Sequence, residues 1–96
     1  MYARVNNIRF PSGMRREVTG AAQGLASVLR EREGFEGLQV LMSPETGEGL
    51  IISFWQTEAD AEATEASSSY IGQMSMMSSF LYEPLVPKTY EVNVPA

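Results

Sequence analysis

The stretch Leu50-Ile51-Ile52-Ser53-Phe54-Trp55 has no polar face. A strand with one side in water alternates apolar and polar residues, so a strand that is apolar almost throughout is expected to be covered on both sides. A chain of 96 residues is too short to sandwich a sheet between two layers of its own helices. The economical solution is a second copy of the chain on the other face. That makes the chain half of a homodimer with an enclosed interior, where a small molecule can sit.

Outward from this strand the chain alternates its periodicity. Tyr2 to Phe10 reads as a strand, with Ala3, Val5 and Asn7 on one face and Tyr2, Arg4, Asn6, Ile8 and Phe10 on the other. Pro11-Ser12-Gly13 ends it, and Ser12 is placed to cap the next helix. Met14 to Glu33 has helical spacing, with Met14, Val18, Ala21, Ala22, Leu25, Val28 and Leu29 in one stripe. Gly20 and Gly24 each weaken that helix by up to about 1 kcal/mol relative to Ala. They also allow it to sit close to the sheet, and Gly34 is a natural stop.

Glu36 to Ser43 is a second strand, with Leu38, Val40 and Met42 on one side, and Pro44-Glu45-Thr46-Gly47 turns it into the third. Thr57-Glu58-Ala59-Asp60 has the form of a capping box with Asp in the place of Glu. A helix rich in Ala and Glu runs from there to about Ala66. Ser67-Ser68-Ser69 is either a break or a weak joint. Helical spacing resumes at Tyr70, Met74, Met77, Phe80 and Leu81. After Pro84 and Pro87, Thr89 to Val94 alternates as a last strand. The order strand–helix–strand–strand–helix–strand is α+β and ferredoxin-like: a single domain over residues 1–96 with one antiparallel sheet and two helices on one face.

Composition excludes several chemistries. There is no His and no Cys. Ser-His-Asp triads, cysteine nucleophiles, disulfides, histidine-ligated haem and ordinary zinc sites are therefore ruled out, and no metal or cofactor is expected. Any acid–base work falls to Asp, Glu, Tyr, Lys or the substrate. The net charge is −5, and the few basic residues, Arg15-Arg16 and Arg30/Arg32, are interspersed with Glu. That argues against nucleic acid as a partner. No apolar run approaches the ~20 residues of a membrane span, and no secretory leader pattern is visible. A cytoplasmic setting is expected.

Gly34-Phe35-Glu36-Gly37, with Ser53-Phe54-Trp55-Gln56-Thr57-Glu58-Ala59-Asp60-Ala61, resembles the antibiotic biosynthesis monooxygenase domain family, whose members carry a similar turn and a similar strand-to-helix junction. The resemblance implies a dimeric α+β barrel in which each subunit encloses a pocket between sheet and helices. It also implies a small-molecule oxygenase or a catalytically unassigned relative. Polyketide-oxidising members place an Asn four positions before the junction Trp and a Tyr six positions after it. Here those places hold Ile51 and Ala61. Haem-degrading members use a His and a Trp in the second helix, neither of which is present, and an Asn in the first strand, which Asn6 or Asn7 matches.

The function this supports is cofactor-independent oxidation of a small aromatic or quinol-like compound by O₂. The alternative is a non-catalytic dimeric barrel that binds a small ligand. In the first reading Asn7 stabilises the substrate anion, Trp55 contacts the ring and Tyr70 handles the proton, with Asn6, Arg4, Met74 and Met77 around the ligand. Each of these residues also has a plain structural reading. Trp55 and Tyr70 serve as packed aromatics, Met74 and Met77 as core filler, and Arg4 as an ion-pair partner of Glu91. Asn6 or Asn7 can be a polar residue at a strand edge. Glu58, Asp60, Glu62 and Glu65 read as a solvated helix face.

Overall fold

The computed structural model describes residues 1–96. β1 (Tyr2–Arg9) leads through a single 3₁₀ turn (Ser12–Met14) into α1 (Arg15–Leu29). β2 (Phe35–Met42) and β3 (Glu48–Trp55) form a hairpin, followed by α2 (Glu58–Glu65), α3 (Ser68–Ser78) and β4 (Lys88–Glu91). The sheet order is β2-β3-β1-β4, antiparallel throughout. This is the ferredoxin-like arrangement, and no helix is long and apolar enough to cross a membrane.

Register assigns the two faces. Tyr2 lies opposite Trp55, Arg4 opposite Ser53, Asn6 opposite Ile51 and Ile8 opposite Gly49, and directly opposed residues project to the same side. That side carries the core: Ile8, Ile51 and Trp55 pack with Val18, Ala21, Ala22, Leu25 and Leu29 of α1, and with Met77 of α3. The other side carries Ala3, Val5 and Asn7, then Leu50, Ile52 and Phe54, with Leu41 and Tyr90 at its margins. Ile51 and Trp55 are 2% and 1% exposed, whereas Leu50, Ile52 and Phe54 are only half-buried, and Leu41 and Tyr90 are about half exposed. Within one chain the apolar third strand is thus covered on one face only.

The two motifs of the family resemblance form one structural unit. Gly34 has a left-handed backbone (φ 81°), and a Cβ there would collide with the Asp60 carboxylate. The Gln56 N–H donates to the Gly34 carbonyl (2.8 Å). Phe35 meets Trp55 edge-to-face, centroids 5.5 Å apart, beside a bulge between Phe35 and Gly37. Thr57 caps α2 by accepting from the Asp60 N–H (3.1 Å), and its hydroxyl donates to Asp60 Oδ2 (2.8 Å).

Four local expectations are revised and one open alternative is decided. Ser12 makes no cap: it sits inside the 3₁₀ turn, and neither that turn nor α1 has a side-chain cap. α1 ends at Leu29, before Glu33: the chain leaves the helix through tight turns, the Glu31 N–H donating to the Val28 carbonyl (3.3 Å) and the Arg32 N–H to the Leu29 carbonyl (3.0 Å), and the Arg32 side chain reaches across to Thr64 Oγ1 (3.2 Å) and the Ala63 carbonyl (3.4 Å). Gly34 therefore serves the start of β2 and is not the end of the helix. Gly24 faces α3: a Cβ would come within 2.9 Å of the Gln73 amide, while Gly20 borders open space. The serine run is a true break. The Ser67 hydroxyl donates to the Thr64 carbonyl (2.6 Å) and accepts from the Tyr70 N–H (3.4 Å), which ends α2 and caps α3. The sheet is consequently covered by three helices.

A cavity between sheet and third helix

The break at Ala66-Ser67 shapes the space beneath it. It re-aims the chain so that α3 stands off the sheet at β1, leaving a cavity of about 530 Å³, within the range of small-molecule sites. Asn6 of β1 and Glu65 of α2 line it, together with Tyr70, Ile71 and Met74 of α3 and Leu85 of the connection to β4. That connection is held to the sheet by the Tyr82 N–H, which donates to the Arg9 carbonyl (2.9 Å). Arg9 also pairs with Glu83 (2.8 Å) and lies over the Tyr82 ring.

Asn6 is 4% exposed and its Oδ1 has no hydrogen-bond partner. A buried acceptor left unpaired costs about 1–3 kcal/mol, so its retention needs a reason. Arg4 lies two residues earlier on the same face. Its Nε donates to Glu65 Oε2 (2.7 Å) and its Nη2 to Oε1 (2.5 Å), a bidentate pair with side chains 17% and 21% exposed. A third guanidinium N–H reaches Thr89 Oγ1. Tyr70, with Ser75 and Ser78 on the same helix, completes the polar set. Burial, and secondarily the Glu65 charge, push its phenol from the ordinary 10 up to about 12, against a smaller downward pull from Arg4. Tyr70 is therefore a protonated donor across the neutral range. No group of three or more Asp or Glu side chains converges to hold a metal.

The candidate residues separate cleanly by position. Asn6, Tyr70 and Met74 line the cavity, and Arg4 stands one contact behind through Glu65. Asn7, one residue along the strand, is exposed on the opposite face beside Leu41 and Leu50. Trp55 is 1% exposed inside the core, its indole N–H donating to Ser53 Oγ (2.9 Å). Met77 is fully buried in the same core. None of these last three touches the cavity. Glu65 belongs to the cavity wall and not to the solvated helix face expected from its neighbours. The available signal is spacing: Ala61, Thr64 and Glu65 fall at i, i+3 and i+4, and the first two are buried. Arg4 pairs with this residue and not with Glu91.

The sequence model of the antibiotic biosynthesis monooxygenase family matches residues 1–71. The chain belongs to that family. Among curated proteins none matches the sequence. Solved structures match over nearly the whole chain. SnoaB, a cofactor-independent oxygenase from Streptomyces nogalater, superposes with a TM-score of 0.86 at 12% identity, covering 98% of this chain and 94% of that one. A candidate antibiotic biosynthesis monooxygenase from Nitrosomonas europaea gives 0.83 at 17% identity, covering 98% and 100%. Rv0793 from Mycobacterium tuberculosis gives 0.83 at 13%, covering 99% and 97%. At these identities the likeness is one of fold. The motifs that carried the family resemblance, Gly34 to Gly37 and Trp55 to Asp60, lie outside the cavity wall in this member.

Proposed function

We propose that this family member is a cofactor-independent monooxygenase that oxidises a small aromatic or quinol-like substrate with O₂ in the cavity beneath α3. The observation that carries the reading is a cavity of small-molecule size, in a chain of this family, whose wall holds a buried carboxamide, Asn6, and a protonated phenol, Tyr70. In such chemistry the substrate supplies the electrons. Loss of a proton leaves a delocalised carbanion that passes one electron to O₂, and the two radicals combine. One oxygen atom then replaces two hydrogens on the carbon, and the other leaves as water. The protein's part is to exclude water, orient the ring and stabilise charge.

Position supports Asn6, in place of Asn7, as the group facing the developing anion through its carboxamide N–H. It supports Tyr70 as the donor to the oxygen that leaves. Trp55 takes no part in ring contact in this reading; it holds the end of β3 against Phe35. The uncovered apolar face, with Val5, Leu50, Ile52 and Phe54, supports a homodimer joined sheet to sheet, and the absence of Cys accords with a cytoplasmic setting. Oxygen uptake with a panel of anthrones, quinols and flavonols tests the activity. Turnover that falls in Tyr70→Phe and Asn6→Leu is expected. Turnover indifferent to both removes the assignment.

A second reading, a ligand-binding barrel without turnover, is favoured by Ile51 and Ala61, which stand where polyketide-oxidising relatives carry Asn and Tyr. It predicts saturable thermal stabilisation, about 2.7 kcal/mol at a ligand concentration of a hundred times Kd, with no oxygen consumed.

A further inference from the structure

Charge in the cavity is arranged unusually for a site that handles an anion. Glu65 is the only charged side chain in its wall, and it is negative. The nearest cation, Arg4, spends its guanidinium on both Glu65 oxygens and on Thr89. Lys88 is in β4, paired opposite Val5, and so projects to the far face. An arriving anion would meet a carboxylate and no free positive charge.

Hydrogen-bonding capacity points the same way. Asn6 Oδ1 lacks a donor. The terminal carboxamide torsion is broad and soft, so a ligand hydroxyl at the wall can draw the oxygen toward itself and relieve the orphaned acceptor. A carboxylate offers about four lone-pair positions, and Arg4 occupies two of those on Glu65. The donors in the wall, the Tyr70 phenol, the Ser75 and Ser78 hydroxyls and the Asn6 amide, are all neutral, so an ionised ligand oxygen finds no cation there, while a ligand hydroxyl finds open acceptors on Asn6 and Glu65. The apolar part of the wall is formed by Ile71, Met74, Leu85 and the prolines Pro84 and Pro87, and Ile71 is about half exposed.

We infer that the cavity selects its ligand in the uncharged, hydroxyl-bearing form, taking the hydroxyl as a donor to Asn6 and Glu65 with the apolar body against Ile71, Met74 and Leu85, and rejects the ionised form of the same molecule. Asn6 and Glu65 are the specificity-determining residues. The inference rests on the cavity being the ligand site but not on oxygenation, so a binding measurement tests it apart from turnover. If the charge is to move during a reaction, it moves after binding.

The experiment uses 7-hydroxy-4-methylcoumarin, whose neutral and ionised forms differ in absorbance and fluorescence, and its 7-methoxy ether. Both are titrated into the full chain from pH 6 to 10. Four results are expected. The ether binds about tenfold more weakly than the neutral phenol. The ionisation of the bound dye is displaced upward by about one pH unit. Asn6→Leu brings phenol and ether within about threefold of each other, and Glu65→Gln, which frees Arg4, strengthens binding of the ionised dye about tenfold. Equal binding of phenol and ether, tighter binding of the ionised dye by the unaltered protein, or no binding of either compound would overturn the inference. Glu65→Gln tests the charge argument independently should Asn6→Leu fail to fold.

Discussion

Replacing Asn6 by Leu should make the protein more stable while impairing the site. Leu has the same branched skeleton as Asn and is the bulkier of the two, so the substitution opens no cavity, and the added volume is directed into the adjoining space beneath α3. The Asn6 carboxamide is 4% exposed with an unpaired Oδ1, and an orphaned buried acceptor costs about 1–3 kcal/mol that an apolar residue of similar shape does not incur. Against this stands the loss of whatever the amide N–H contributes, about 0.5–1.5 kcal/mol for one ordinary bond. The balance is a gain of about 1 kcal/mol. In a domain of this size that raises Tm by roughly 4–8 °C. Differential scanning calorimetry of both proteins at one protomer concentration measures it, the concentration being held because any self-association would couple to unfolding. The same variant should lose preference for hydroxyl-bearing ligands. A stabilised protein with weakened binding identifies Asn6 as kept for function at a cost in stability. A loss of stability of about 1 kcal/mol or more would show the carboxamide to be a satisfied part of the core, and the reasoning from the unpaired oxygen would be wrong.

Other perturbations reach different parts of the molecule. Tyr70 ionises at about 12 in the folded chain and at 10 unfolded; its neutral form is the one the fold favours, so this contribution is intact below pH 10 and lost between pH 10 and 12. After discounting for partial solvent contact it amounts to roughly 1–2 kcal/mol, and Tyr70→Phe should unfold less steeply across that interval in alkaline denaturation. Gly34→Ala places a Cβ against Asp60 at positive φ and should cost about 1–3 kcal/mol. Urea unfolding should show part of that cost recovered in Gly34→Ala/Asp60→Ala, and strict additivity would refute the contact. Ile52→Lys sets a charge in the middle of the bare sheet face. Sedimentation at micromolar concentration should find the unaltered protein dimeric and this variant monomeric; a folded monomer in both would end the sheet-to-sheet proposal.

The order of elements, the pairing of β2 with β3 and the apolar stripe of α1 were readable in the chain because each rests on local periodicity and turn chemistry. The Thr57 cap and the need for a glycine at position 34 were readable on the same grounds, although the glycine serves a strand and not a helix end. So was the family, whose motifs turn out to be a packing unit of Gly34, Phe35, Trp55 and Asp60 set apart from the cavity. What the sequence could not decide was which member of a neighbouring pair points inward. Asn6 and Asn7 are the same residue one step apart, and a strand sends successive side chains to opposite faces; only register against β3 puts Asn6 beneath α3 and Asn7 on the bare side. Likewise Glu65 looks like its solvated neighbours until Arg4, 61 positions earlier, is folded against it. Local rules act over a few residues and write themselves into sequence; the meeting of a carboxylate, a guanidinium, a phenol and an orphaned amide from separate segments is a property of the tertiary arrangement alone.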